Sequence, residues 1–364
     1  MNLKTLSIIN FKNYEQADIN FSPKINCFVG NNGVGKTNLL DAIYYLSFCK
    51  SSFNPIDSQN IMNNEEFFLI QGQYTRKETE EHIYCGLKKG QKKQFKRNKK
   101  EYPRLADHIG FIPLVMKSPA DINFIYDGSE ERRRFLDSVI SQFDHAYLDD
   151  LMNYNKILSQ RNKLLKNVTP EAYIDTFGIY NDQLNSFGTR IYNKRSEFVK
   201  ELVPIFQEFF NEISEGRESV ALEYNSQLQN ENLQELLQSS FRKDCILQYT
   251  TRGIHKDDLN LTISNQPLKK YGSQGQQKTF LVALKFAQYD FIRNQTSLKP
   301  LLLLDDIFDK LDRQRVAQII KLVTHNHFGQ IFITDTSPDR LRNILGESTT
   351  DHKIFSIEDG NIIE

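Results

Sequence analysis

Eight residues, Gly30-Asn31-Asn32-Gly33-Val34-Gly35-Lys36-Thr37, constrain this chain more than any others. They fit G-x-x-x-x-G-K-[ST]. A loop that wraps a run of phosphates must turn backbone N–H groups inward, and glycines let the backbone curl that way. Lys36 has the reach for the β- and γ-phosphates, and Thr37 has a hydroxyl for Mg²⁺. The flanking sequence supplies the setting. Residues 25–29 read as a short buried strand running into the loop. After it, Leu39, Leu40, Ile43 and Leu46 recur at helical spacing, so a helix begins near Lys36, with Asn38 in its first turn. The N-terminus of that helix adds a field that favours anions. These residues imply an ATP site in an α/β domain.

Two further stretches fit the same chemistry. Residues 301–304 are four leucines, which suits a strand buried on both faces, and they end in Asp305 and Asp306. A carboxylate at the C-terminal end of such a strand can hold Mg²⁺, the role expected of Asp305. Asp306 is placed to polarise an attacking water. Ser273-Gln274-Gly275-Gln276-Gln277-Lys278 precedes a helix carrying Phe280, Leu281, Leu284 and Phe286. Alone it reads as a plain helix cap; beside the other two motifs it reads as an anion site at a helix N-terminus.

The rest of the chain divides by pattern. Residues 3–10, 17–21, 67–74 and 82–87 read as strands. In the middle, Leu136, Ile140, Phe143, Tyr147, Leu151, Tyr154 and Leu158 step by three or four. After a break at residues 167–170, Tyr173, Phe177, Tyr180, Leu184, Phe187 and Ile191 do the same. These are two amphipathic helices expected to pack as an antiparallel hairpin. From residue 245 the pattern returns to strands, with a helix at 316–323 and a buried strand at 330–334. The expected architecture is a head of residues 1–115 and 245–364, with an inserted helical arm at 116–244. With 364 residues there is room for both. Lysine plus arginine and aspartate plus glutamate number 46 each, so bulk charge predicts no polyanion partner and any nucleic-acid contact must be local. No apolar run reaches the roughly 20 residues of a membrane span. Four scattered cysteines fit a reducing cytoplasm.

Taken together, Asn10-Phe11-Lys12-Asn13-Tyr14, the run at residues 30–46, Gly128-Ser129 with Arg132-Arg133-Arg134-Phe135-Leu136-Asp137, His255-Lys256-Asp257-Asp258-Leu259, residues 273–278 and residues 301–312 resemble the RecF family of bacterial DNA replication and repair proteins. The matches run in the family's order over nearly the whole chain. The resemblance implies an ABC-type ATPase head of the SMC and Rad50 kind, α/β in class, with a P-loop sheet, flanking helices, a β-rich lobe and an inserted, mostly α-helical arm. It implies ATP and Mg²⁺ as cofactors, with Gly30, Asn31, Asn32, Gly33, Val34, Gly35, Lys36, Thr37, Asn38 and Lys12 on the nucleotide. Lys36, Asp305 and Asp306 would be catalytic, and Thr37 and Asp305 would hold the metal. Ser273, Gln274, Gly275 and Gln276 would complete the site of a second subunit. It further implies an ATP-dependent homodimer that clamps duplex DNA near gaps, slow DNA-stimulated hydrolysis that opens it, RecO and RecR as partners in loading recombinase, and a cytoplasmic place with the nucleoid. An SMC- or Rad50-like chromosome-organising head is the alternative. Position 12 holds Lys where the family usually has Arg, and Asp309 stands where it usually has Ser. No switch histidine follows residues 331–334, and no Q-loop glutamine is evident at 112–121.

Lys88, Lys89, Lys92, Lys93, Lys96, Arg97, Lys99 and Lys100 gather positive charge in a neutral chain. Alone the run reads as a solvated loop; the resemblance to duplex-binding proteins sets beside that, on equal terms, a surface tracking a phosphate backbone. Arg132, Arg133 and Arg134 are a second candidate, or simply partners of Glu130 and Glu131.

Overall fold

The computed structural model describes residues 1–168, 175–309, 311–324, 327–338, 351–358 and 360–363. Tyr173, Pro170 and Lys310 of the patterns above lie outside them. The chain forms two compact units. One comprises Met1–Asp121, Glu212–Glu215 and Gln274–Glu364; the other comprises Ile122–Asn211 and Gly216–Ser273.

The first unit holds two six-stranded sheets. One is antiparallel, in the order Tyr14–Asn20, Asn2–Phe11, Phe67–Arg76, Thr79–Lys88, Gln94–Arg97, Lys100–Glu101. Its strands alternate, as in Asn2–Phe11, where Leu6, Ile8 and Asn10 are buried and Ser7 and Ile9 are less so. The other sheet runs Asn361–Ile363, His352–Glu358, Ile25–Val29, Ile331–Asp335, Leu301–Asp305, Leu114–Lys117. Among the described strands only the edge strand Asn361–Ile363 is antiparallel. Ile25–Val29, Leu301–Asp305 and Ile331–Asp335 are buried along their whole length, as strands covered on both faces must be. Each fully buried leucine of Leu301–Leu304 contributes roughly 1.5–3 kcal/mol from desolvation. The helix Lys36–Phe48 lays Leu39, Leu40, Ile43 and Leu46 into the core shared with both sheets.

The register fixes what matters for function. Asp335 lies opposite Val29, Asp305 opposite Thr334 and Lys117 opposite Leu304. Four parallel strands therefore end side by side, at the edge where residues 30–35 leave the sheet.

The second unit is built on the helices Ser129–Ile140, His145–Leu165 and Asp175–Ser214. The second and third are antiparallel. Asp144 meets Lys194, Asp150 meets Arg190 and Arg161 meets Asn181, so one number falls as the other rises. Gly188 lets them close up: a Cβ there would lie 2.5 Å from Leu233 and 3.2 Å from Tyr154. Arg161 and Arg195 are buried and compensated. Arg161 binds Asp244 at 2.9 Å and Thr250 at 2.7 Å; Arg195 binds Asp137 at 2.8 Å and Asp257 at 3.2 Å.

The division differs from the expected boundary at 245. Asp258–Ile263 pairs with Val220–Asn225 through six residues, which ties residues 245–273 to the helical unit. Strand-forming pattern says that a segment is extended, not which sheet receives it. The stretch from Cys245 also begins inside the helix Phe241–Leu247, before the strand.

Candidate nucleotide site

The loop leaves the sheet at Val29 and enters the helix at Lys36. Gly35 caps that helix with φ 116°, and a Cβ there would lie 2.4 Å from the Asn13 side chain. Both features require glycine. Asn13 explains part of the motif around it. Its amide donates to Val34 O at 3.0 Å and its Oδ1 accepts from Asn38 at 2.7 Å, while the Tyr14 hydroxyl donates to Gly35 O at 3.1 Å. Asn13 and Tyr14 thus brace the loop from behind. Neither is among the nucleotide-site residues expected from sequence, because nothing local says which loop this turn will support.

Lys36 Nζ donates to Gly30 O and Asn31 O, each at 2.7 Å, so its ammonium spans the loop. Burial lowers its pKa, and Asp305, Asp306 and Asp335 oppose that shift. The Thr37 hydroxyl lies 2.9 and 3.1 Å from the two oxygens of Asp305. Two residues far apart in sequence are thereby joined where the loop and the sheet meet. A hydroxyl and a carboxylate are hard oxygen donors, the set that suits Mg²⁺. Asp305 is further held by the Thr334 hydroxyl at 2.6 Å, and Thr334 Oγ1 accepts Asp306 N–H at 3.0 Å. Thr334 is fully buried. Its role has no local sign in the sequence, because it depends on which strand lies beside Leu301–Asp305.

Asp306 adopts a left-handed backbone, φ 48°. Burial raises its carboxyl pKa, and the like charges of Asp309, Asp305 and Asp335 raise it further; Lys278 opposes them. A carboxylate held above its ordinary range is a better proton acceptor. Lys278 donates to Asp309 O at 2.7 Å and Oδ2 at 3.0 Å, tying the first turns of the helix Gln274–Thr296 to the turn after Asp306. Ser273 and Gln274 are exposed at the head of that helix. A Cβ on Gly275 would meet nothing within 4 Å.

Three expected positions sit differently. Lys12 Nζ pairs with Asp41 Oδ2 at 2.6 Å, the lysine 10 % exposed and the aspartate fully buried. That ammonium is committed within the fold, because Asp41 projects from the helix that follows the loop. In the basic run, Lys93 is also mostly covered, its side chain 10 % exposed, donating to Asp57 at 2.7 Å, Cys49 O at 2.5 Å and Tyr45 OH at 3.1 Å. Arg97 forks onto Glu81 at 2.7 and 2.8 Å and stacks on Phe111. Lys93 and Arg97 are anchors of the hairpin. Lys96 lies over Tyr84, and Lys88, Lys89, Lys92, Lys99 and Lys100 are exposed. The arginine triplet is also paired within the fold. Arg132 binds Asp258 at 2.5 Å, Arg133 donates to Asp257 O at 2.7 Å, and Arg134 pairs with Glu130 and Glu131.

Comparison with known proteins identifies the family. The family model described as RecF/RecN/SMC N terminal domain matches residues 2–356, which places the chain among ABC-type ATPase heads. Relatives named "DNA replication and repair protein RecF" are 56 % identical in Bacteroides fragilis, over all of this chain and 98 % of the relative, and 52 % identical in Flavobacterium johnsoniae, over 98 % of this chain and all of the relative. The chain belongs to the RecF family. A solved structure described as the recombination mediator protein RecF-ATP in the RecFOR pathway superposes with a TM-score of 0.88 at 32 % identity, covering all of this chain and 97 % of that one. An Smc head, at 16 % identity and a TM-score of 0.60 over all of this chain and 97 % of its own, shares the fold.

Proposed function

We propose that this protein is an ATP-dependent, DNA-binding recombination mediator. The observation that carries the reading is the joining of Thr37 to Asp305 beneath a braced phosphate loop, in a chain whose relatives bear a replication and repair name. Residues 30–37 wrap the triphosphate of ATP, and Lys36 moves from loop carbonyls to phosphate oxygens. Thr37 and Asp305 would hold Mg²⁺, which when bound would neutralise phosphate charge. Asp306 takes a proton from the attacking water as its oxygen bonds to the γ-phosphorus. The bond from that phosphorus to the β–γ bridging oxygen breaks, leaving ADP and phosphate.

ATP dimerises the protein, with Ser273, Gln274, Gly275 and Gln276 of one copy facing the γ-phosphate of the other. The open space over Gly275 suits such an approach. The dimer clamps duplex DNA near single-strand gaps, with Lys88, Lys89, Lys92, Lys99 and Lys100 on the phosphate backbone. Slow, DNA-stimulated hydrolysis opens the clamp, and RecR and RecO act with it in loading recombinase. ATP is then a timer and not fuel.

The test is the mass of the protein in solution with ATP and Mg²⁺, for wild type, Lys36→Ala and Ser273→Arg. Wild type should dimerise and both variants should stay monomeric. A monomeric wild type sinks the ATP-dependent dimer. Affinity for gapped, duplex and single-stranded DNA, with and without ATP, tests the clamp; equal values throughout would remove it.

A further inference from the structure

The strand Leu114–Lys117 lies parallel to Leu301–Asp305, with Lys117 opposite Leu304. Its last residue therefore emerges at the end of the sheet that carries Asp305, Asp335 and the phosphate loop. A lysine is a costly choice there. The Lys117 residue is only 6 % exposed, so its ammonium has lost most of its water. It donates to the carbonyl of Ser118 at 2.7 Å, a neutral acceptor of the adjacent residue. Burial lowers its pKa, and Lys278 and Lys285 push the same way, while Asp121 and Asp305 oppose them.

Those two carboxylates carry other donors. Asp121 takes Lys285 at 2.8 Å and Ser118 N–H at 2.6 Å. Asp305 takes the hydroxyls of Thr37 and Thr334. A desolvated cation bonded to a neutral carbonyl is unfavourable, and an anion brought to it restores the balance. Of the charged neighbours of Lys117, Asp305 and Lys278 belong to the metal and water end of the site. The carbonyls of Gly30 and Asn31, where Lys36 rests, are at the loop.

We propose that Lys117 is a second phosphate-contacting cation of this site, which with Lys36 grips the terminal phosphoryl group of a nucleoside triphosphate and so favours ATP over ADP. This inference rests on the ATP-binding reading above. Lys36 would serve any nucleotide with a β-phosphate, whereas Lys117 would respond only to the third.

The experiment measures dissociation constants for ATP and for ADP, with Mg²⁺, on the full chain. The variants are Lys36→Met, Lys117→Met and Lys117→Arg, each also melted without nucleotide. Lys117→Met should weaken ATP about tenfold, the scale of one charge-assisted hydrogen bond, and ADP less than twofold. Lys117→Arg should recover most of the loss. The melt of Lys117→Met should not fall, since a desolvated charge has been removed. Equal weakening of ATP and ADP, or unchanged ATP affinity, overturns the proposal. If Lys117→Met melts early, Lys117→Gln makes the same ATP-against-ADP comparison. A wild type that binds no ATP, or Lys36→Met binding as wild type, would instead overturn the reading beneath it.

Discussion

Thr334 donates its hydroxyl proton to Asp305 Oδ1 at 2.6 Å, and its hydroxyl oxygen accepts the backbone N–H of Asp306 at 3.0 Å. One buried side chain thus fixes both acids that end the four-leucine strand. Thr334→Val keeps the shape and removes the hydroxyl. ATP turnover should fall by about 10–100-fold, the usual cost of losing a group that orients a metal-binding carboxylate. ATP affinity without metal should change little, and Thr334→Ser should restore turnover. Phosphate release and nucleotide titration check this. Loss of affinity and turnover together would mean that Thr334 merely stabilises the fold.

Asp306 predicts a pH profile. Its carboxyl pKa is raised by burial and then by Asp309, Asp305 and Asp335, so it protonates at a higher pH than a free aspartate. A base works only when deprotonated. The acid limb of the turnover profile should therefore lie above the ordinary carboxylate range. Lys278 is the cation that pulls the other way, so Lys278→Met should shift that limb to still higher pH. Steady-state turnover across pH for wild type and Lys278→Met tests this. A limb that stays put, or moves down, removes Asp306 as the proton acceptor.

The basic run separates into two kinds of residue, and they should behave oppositely. Lys93 packs against Asp57 and Tyr45. Lys93→Met should destabilise the protein by about 1–3 kcal/mol, below the range for breaking a fully buried pair because Asp57 is a third exposed. It should leave the salt dependence of DNA binding unchanged. Replacing Lys89, Lys92, Lys99 and Lys100 with alanine should leave the melt unchanged and flatten that dependence by roughly 0.9 in log–log slope for each phosphate no longer neutralised. An unchanged slope in the fourfold variant would exonerate the hairpin.

The head was legible because its signals are local. The spacing of Gly30, Gly35, Lys36 and Thr37 names a phosphate loop, and four consecutive leucines before Asp305 name a buried strand. The fates of Lys12, Lys93 and Arg97 were illegible for the opposite reason. Each finds a carboxylate elsewhere in the chain: Asp41, Asp57 and Glu81. A run of lysines looks the same in sequence whether its members face water or a buried acid. Thr334 and Lys117 were invisible because their importance follows from strand order. The return to strands expected from residue 245 named no partner; the strand found there, Asp258–Ile263, pairs with Val220–Asn225, which draws it into the helical unit.

His108 predicts how stability depends on pH. It is fully buried in the first unit, with Nε2 donating to Leu46 O at 2.7 Å and Nδ1 accepting from Tyr102 OH at 3.0 Å. Burial depresses its pKa to about 4, from 6.5. Between those values the unfolded chain binds a proton that the folded protein refuses, so stability falls as pH drops. The loss is about 1.4 kcal/mol per pH unit in that window, or roughly 2 kcal/mol from pH 6.5 to 5. Urea unfolding of wild type and His108→Gln at several pH values measures it. The variant should be flatter across the window. Parallel curves would assign the acid sensitivity to other groups.

Lys12 decides between a contact implied by resemblance and one set by geometry. Its ammonium lies 2.6 Å from Asp41, whose carboxylate also accepts from Ser51 Oγ at 2.6 Å and from Ser52 N–H at 2.7 Å. Asp41 sits in the second turn of the helix that begins at Lys36, so this network anchors the element carrying Thr37. Lys12→Met removes the cation and leaves a buried carboxylate with two neutral donors. That should cost about 3 kcal/mol of stability, the lower end for breaking a buried pair. ATP affinity, measured well below the lowered melting temperature, should stay within about threefold of wild type, because one charge-assisted phosphate contact would be worth tenfold or more. Lys36→Met should show the reverse, a large drop in affinity with a nearly unchanged melt. If Lys12→Met bound ATP as poorly as Lys36→Met does while melting like wild type, Lys12 would have to leave Asp41 for the nucleotide, and the ion pair would be a resting contact.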